Sequence, residues 1–196
     1  MDLNFNSCKI LIVGDVMLDK YYFGKVERIS PEAPVPIVNI VNEESRLGGA
    51  SNVANNITSL GGQATLCGAI GHDFFGKEIE RMARQKKIKT GFVKTEQPTI
   101  TKARIIGGRQ QIVRIDYEQQ LELSEKARED LQTRLASLLQ EHPTLIISDY
   151  GKGMITEELC TYLIKTAKLH GARVIVDPKI GRASCRERVT TSEVAG

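Results

Sequence analysis

The sequence predicts a doubly wound α/β fold with a small β appendage, and three observations carry that prediction. Apolar runs of strand length alternate with stretches of helical period along most of the 196 residues. Three of the apolar runs end in an aspartate, Asp15, Asp149 and Asp177. Polar residues at the carboxyl tips of buried parallel strands mark the edge where open α/β sheets meet ligands. Finally, two segments, near 20–46 and 95–118, break the alternation and read as extended chain lying over the strand tips.

Lys9-Ile-Leu-Ile-Val13 is apolar throughout and closes on Gly14-Asp15, the pattern of a buried parallel strand. Tyr21 to Val41 is rich in Tyr, Val, Ile and Pro. Pro31, Pro34 and Pro36 exclude a central helix there and suit edge strands or extended loops. Gly48-Gly49-Ala50-Ser51-Asn52 opens a helix. Its Val53, Ile57 and Leu60 share one face at 3.6-residue spacing, and Gly61 stops it. Ala64 to Ile70 reads as strand. Phe74 to Lys87 reads as helix with Phe75, Ile79 and Met82 inward. Thr99 to Gly107 and Gln110 to Tyr117 predict a hairpin around Gly107-Gly108. Ser124 to Glu141 is a long amphipathic helix, starting without a full capping box. Thr144 to Ser148 is a strand ending in Asp149, Thr156 to His170 a helix closed by Gly171, and Ala172 to Asp177 a further strand.

Composition narrows the function classes. With 27 Lys plus Arg against 24 Asp plus Glu, the net charge of +3 gives no electrostatic case for nucleic acid. No apolar run reaches the roughly 20 residues of a membrane helix, and the N-terminus lacks a signal-peptide pattern, so a cytoplasmic protein is expected. Cys8, Cys67, Cys160 and Cys185 lie far apart with no C-x-x-C spacing, which points to buried free thiols rather than a zinc knuckle or redox pair. A Walker P-loop, a G-x-G-x-x-G after the first strand, a G-x-S-x-G elbow and an H-E-x-x-H pair are all missing.

Three groups of residues could do chemistry. The pair Gly48-Gly49 followed by Asn52 lets backbone approach a ligand closely and offers N–H groups at a helix start, although an ordinary Gly-rich turn has the same look. Asp15 and Asp19 follow the first strand and could accept from vicinal hydroxyls or cap a loop. Lys102, Arg104, Arg109 and Arg114 cluster on the hairpin, as a phosphate grip or as a charged edge that blocks strand addition.

At these residues the chain resembles the ribokinase-like (PfkB) sugar kinases. The resemblance rests on Gly14-Asp15, Gly48-Gly49-Ala50-x-Asn52-x-Ala54, Leu60-Gly61 and Gly71-x-Asp73-x-x-Gly76. Val13 to Tyr21, Arg28 to Pro36, Thr99 to Arg104, Gln110 to Asp116 and Ser148 to Gly153 are similar to the branch acting on D-glycero-β-D-manno-heptose 7-phosphate. The resemblance implies an α/β/α sandwich with a β lid that also forms a homodimer. It implies phosphoryl transfer from ATP, with Mg2+, to the anomeric hydroxyl of heptose 7-phosphate, giving the 1,7-bisphosphate on the way to ADP-heptose and lipopolysaccharide core. Alternatives are another PfkB sugar kinase or a non-catalytic module that binds sugar phosphate or dimerises.

By position, Asp15, Gly48, Gly49 and Asn52 would bind the sugar, Lys102, Arg104, Gln110 and Arg114 would approach the substrate from the lid, and Lys179 would contact phosphate. The family's catalytic aspartate, in Gly-Ala-Gly-Asp, and its Asn-x-x-Glu metal motif do not occur in the 196 residues. The expectation is therefore an N-terminal part of a kinase domain over 1–179, inactive alone, with its C-terminal part missing. Residues 180–196 lack period and turn logic, and back-translate as far as Val189 to a sequencing adapter, so they read as a non-native tail.

Overall fold

The computed structural model of the chain describes residues 5–178, so Lys179 and the 180–196 segment lie outside the described residues. Its strands are β1 (Lys9–Gly14), β2 (Val16–Ile29), β3 (Pro36–Gly49), β4 (Gln63–Gly71), β5 (Lys89–Thr95), β6 (Thr101–Gly107), β7 (Gln110–Tyr117), β8 (Thr144–Asp149) and β9 (Arg173–Pro178). Its helices are α1 (Ala50–Ser59), α2 (Phe74–Gln85), α3 (Glu125–Glu141) and α4 (Glu157–Leu169).

The first sheet has the order β5-β4-β1-β8-β9 and is parallel at every pairing. β1 shows why its strands read as unbroken apolar runs. Leu11 and Val13 enter the cluster formed with Leu131, Leu135 and Leu139 of α3 and Leu163 of α4. Ile12, between them, enters the opposite cluster with Ala54 of α1, Leu66 and Ile79 of α2. Side chains alternate faces along a strand, so a strand covered by helices on both sides needs apolar residues at every position.

The second sheet, of order β3-β2-β6-β7, leaves the first at Gly14, and Asp15 alone separates β1 from β2. β2 pairs with β3 antiparallel and with β6 parallel, and β6 pairs with β7 antiparallel. This is the α/β sandwich with a β appendage that the sequence predicts. The appendage is larger than residues 20–46 and 95–118 suggested. β2 begins at Val16 and β3 runs to Gly49, whereas β5, ending at Thr95, belongs to the first sheet. Pro31 and Pro34 fall between β2 and β3, where Ser30 N–H donates to Val35 O at 2.8 Å, and Pro36 opens β3. Leu60 departs from its expected inward face: α1 ends at Ser59 and Leu60 is 63% exposed. Cys67 is a buried free thiol and Cys8 a half-buried one, while Cys160 is disulfide-bonded and so departs from the free-thiol reading.

Candidate sugar-binding site

The site forms where β2, β3 and β6 run side by side. Strand register places Asp19 of β2 opposite Arg46 of β3 and Lys102 of β6. Two residues on, Tyr21 stands opposite Glu44 and Arg104, and Arg104 stands opposite Arg114 of β7. Residues paired in register share a face of the sheet, so one face carries Asp19, Glu44 and Asp116 among Arg46, Lys102, Arg104 and Arg114, with Arg46 in a two-pronged pair with Glu44 at 2.8 and 3.1 Å. Arg104 Nη1 donates to Asp19 Oδ1 at 2.6 Å, and this bond crosses 85 residues of sequence. Burial pulls the Arg104 guanidinium down, but the bond and charge of Asp19 outweigh it and hold the group above its usual value. The Tyr21 ring carries the guanidinium carbons of Arg46 and Arg104 at 4.7 and 5.2 Å from its centroid, a cation–π platform that fixes both.

The glycines serve this face. A Cβ on Gly48 would stand 2.6 Å from Asp19 Oδ2, so the missing side chain is what leaves space beside the carboxylate. Gly49 has φ +54 and a Cβ there would run into the Asp15 carbonyl oxygen, which accepts from Ala50 N–H at 2.9 Å. α1 starts at this bend with no side-chain cap on its N-terminal N–H groups. Asn52 lies exposed in its first turn, and Ser51 Oγ donates to Gly48 O at 2.6 Å, fixing the bend from below.

The structure places the other expected residues as follows. Asp15 does not lie on the Asp19 face. It is 1% exposed, and its carboxylate accepts backbone N–H bonds from Tyr150 (2.8 Å), Lys152 (3.1 Å) and Met154 (3.1 Å). Burial pushes its carboxyl above the ordinary value, against the lowering pull of those three bonds. The side chain thus clamps the loop after β8 and supports the site from beneath.

Lys102 Nζ is engaged by Asp116 Oδ2 (3.1 Å) and Glu118 Oε2 (3.2 Å), and Arg114 makes a two-pronged pair with Asp116 at 2.9 and 3.1 Å. Gln110 is exposed at the start of β7, opposite Gly107. Lys152 Nζ donates to Glu118 Oε1 at 2.7 Å, which ties the loop after β8 to this network. Sequence reasoning named both Asp15 and Asp19 as hydroxyl acceptors, carried Asp15 alone into the sugar-binding set, and left out Tyr21 and Arg46. The strand alternation Asp19, Tyr21 on β2 was the signal that could have found Tyr21.

Comparisons with known proteins agree with this architecture. The profile of the pfkB family carbohydrate kinases matches residues 8–194. The chain is 46% identical over 172 residues, 87% of its length, to D-beta-D-heptose 7-phosphate kinase of Bordetella bronchiseptica, covering 54% of that protein. It is 44% identical over 173 residues to the bifunctional protein HldE of Methylobacillus flagellatus, covering 87% of this chain and 36% of that one. It thus spans about half, or about a third, of these relatives.

Among solved structures, phosphofructokinase-2 of Escherichia coli in complex with substrates and products superposes with a TM-score of 0.67 at 21% identity, covering 88% of this chain and 54% of that one. Ribokinase of Giardia lamblia does so with a TM-score of 0.64 at 22% identity, covering 91% and 57%. At these identities the superpositions show the fold alone. The profile match over nearly the whole sequence settles the lineage: the chain belongs to the pfkB family of carbohydrate kinases.

Proposed function

We propose that this chain is the sugar-binding part of a kinase that transfers the γ-phosphoryl group of ATP to the anomeric hydroxyl of D-glycero-β-D-manno-heptose 7-phosphate. The product would be the 1,7-bisphosphate, a precursor of ADP-heptose for lipopolysaccharide core. The observation that carries this reading is the 46% identity, over 87% of the chain, to a D-beta-D-heptose 7-phosphate kinase. The site supports it chemically. A carboxylate such as Asp19 accepts from vicinal sugar hydroxyls, and Gly48 leaves its Oδ2 clear of a side chain. Asn52 and the uncapped N–H groups of α1 offer further donors. Arg46 and Arg104, and behind them Lys102, Arg114 and Gln110, give the charge and donors a phosphorylated sugar needs.

In this reading residues 1–179 are the N-terminal part of the kinase domain and the second sheet is its lid. ATP and Mg2+ follow from kinase membership. Among the described residues no group of three or more His, Cys, Asp or Glu could hold a metal. Lys179, expected at the phosphate, lies outside the described residues.

The lid also supports a homodimer, because Ile29, Val41, Val113 and Ile115 of its strands are exposed apolar residues. No helix among the described residues is long and apolar enough to cross a membrane, and a cytoplasmic site of action is the reading for an enzyme using ATP and a sugar phosphate.

The test is phosphorus NMR of the full-length protein with ATP and heptose 7-phosphate. A new anomeric phosphate signal is expected. Phosphorylation of a different sugar in its place would assign the chain to another kinase of the family. The 196-residue polypeptide, lacking Gly-Ala-Gly-Asp, is expected to bind the sugar phosphate without turning it over.

A further inference from the structure

The chain passes between the two sheets at three points before β7. The first, β1 to β2, is made by Asp15 alone, and the second, β3 to β4, is made through helix α1. The third, residues 96–100 between β5 and β6, contains no helix and is held by a side chain on another element. Asp73, the N-cap of α2, accepts Gly76 N–H on Oδ1 at 2.7 Å and Thr99 Oγ–H on the same oxygen at 2.8 Å. Its Oδ2 accepts Thr99 N–H at 2.7 Å. Thr99 Oγ1 in turn accepts Gly71 N–H at 2.9 Å. Thr99 is 2% exposed. Both faces of its peptide are spoken for, because the Thr99 carbonyl accepts from Thr101 Oγ at 3.1 Å.

The next residue begins the lid pairing. Ile100 O accepts Leu18 N–H at 2.9 Å, and from there β6 runs in fixed register with β2, which sets Lys102 beside Asp19 and Arg104 beside Tyr21. A helix N-cap needs only one acceptor oxygen for one N–H. Asp73 spends its second oxygen, and a second bond on the first, on a residue 26 positions away. Gly71 and Gly76 complete the fit: a Cβ at Gly71 would come within 2.8 Å of Asp73 Oδ2, and one at Gly76 within 3.0 Å of Thr99 Oγ1. The Gly71-x-Asp73-x-x-Gly76 motif is thus a socket for Thr99.

We propose that Asp73 is a positioning residue for sugar-phosphate binding. It sets the start of β6 through Thr99 and thereby holds Arg104 against Asp19, without touching the ligand. The proposal rests on the sugar-phosphate reading above, and its test separates the two.

In the 196-residue chain, Asp73→Asn and Thr99→Val are compared with Thr99→Ser, which keeps the hydroxyl. The readouts are the Kd for heptose 7-phosphate by calorimetry and, without ligand, the NMR resonance of the Arg104 side-chain Nε–H. Asp73→Asn and Thr99→Val should weaken binding by about ten- to a hundredfold, as sub-ångström misplacement of a binding group does. They should also shift the Arg104 resonance, and Thr99→Ser should restore both. Thr99→Val leaves the Gly76 cap in place, so it reports on the tether even if Asp73→Asn lowers the yield of folded protein. Variants that melt earlier but keep the wild-type Kd and Arg104 resonance would reduce Asp73 to a helix cap and overturn the proposal. If the wild-type chain does not bind heptose 7-phosphate while the Arg104 resonance still moves, the tether stands and the substrate reading falls.

Discussion

Asp15 is the single residue that links β1 to β2 and so the two sheets, and its replacement has a consequence that can be worked out from geometry. Asp15→Ala removes the acceptor of three N–H groups, those of Tyr150, Lys152 and Met154, of which the last bond is fully buried. Bonds to a charged group contribute about 1.5–3 kcal/mol each, and partly buried donors recover some of that from water. Against the loss stands the relief of a carboxylate that burial already disfavours. The balance is a destabilisation of about 3 kcal/mol, a large share of the 5–15 kcal/mol by which domains are stable. Asp15→Asn should cost about half as much, since its amide oxygen can keep the two bonds that Oδ2 accepts.

The assay is urea denaturation followed by circular dichroism. Its pH dependence has a defined sign. Burial raises the folded pKa of Asp15 above the ordinary 3.8, so its contribution is full below that value and is lost as pH rises through the folded pKa. The penalty of Asp15→Asn is therefore greater at pH 4 than at pH 7. An Asp15→Ala variant within about 0.5 kcal/mol of wild type, the usual range of a neutral surface change, would refute the clamp.

Three other perturbations have definite outcomes. Gly48→Ala sets a Cβ against Asp19 Oδ2 and should weaken sugar binding about tenfold with little change in melting, read by calorimetry. Gly49→Ala, at φ +54, should instead cost about 1–3 kcal/mol of stability in the same urea assay. Glu118 is held below its usual value first by the Lys152 hydrogen bond and then, against burial, by Lys102. Its contribution is present above the unfolded carboxylate range and lost as pH falls through the lowered folded pKa, so Glu118→Gln should flatten the acid limb of stability below the ordinary carboxylate range. Burial pushes the Cys67 thiol up to about 12, so a thiol reagent at pH 8 should leave Cys67 unmodified in the folded chain and label it in urea, as read by peptide mass spectrometry.

What the sequence disclosed, and what it did not, follows from the range of the interactions. β1, β4 and β8 were legible because strands buried on both faces are apolar at nearly every position, and β9, an edge strand with Ile175 exposed, from its β-branched run Val174-Ile-Val176. β5 was not read, because Lys89-Thr-Gly-Phe-Val-Lys-Thr95 is an edge strand with polar ends and a central glycine. The far half of β3 was read only as part of an extended segment near 20–46 and not as a strand reaching Gly49: Asn42-Glu-Glu-Ser-Arg46 has no apolar alternation, being charged on one face and largely solvated on the other. The hairpin of β6 and β7 is local and was legible from Gly107-Gly108. Its parallel pairing with β2 joins residues more than 80 positions apart, which no local pattern encodes.

The same limit governed the site. Both aspartates after β1 were visible, but which of them comes up on the lid face is set by a one-residue crossing. Asp15 occupies the crossing and turns inward to the loop at 150–154, and Asp19 comes up on the lid face four residues later. The basic cluster was legible as a cluster. That Lys102 and Arg114 are already matched by Asp116 and Glu118, leaving Arg104 to Asp19, depends on strand register.

The most direct test of the central claim, that the face around Asp19 and Arg104 reads a phosphorylated sugar, is calorimetric titration of this chain with heptose 7-phosphate and with the same heptose lacking phosphate. The cationic face predicts that the phosphate improves binding by about tenfold or more, the equivalent of one charge-assisted hydrogen bond. It predicts also that Asp19→Asn weakens both ligands, because Asp19 serves the ring as well as holding Arg104. Equal affinity for the two sugars in the wild-type chain, or binding untouched by Asp19→Asn, would contradict the account.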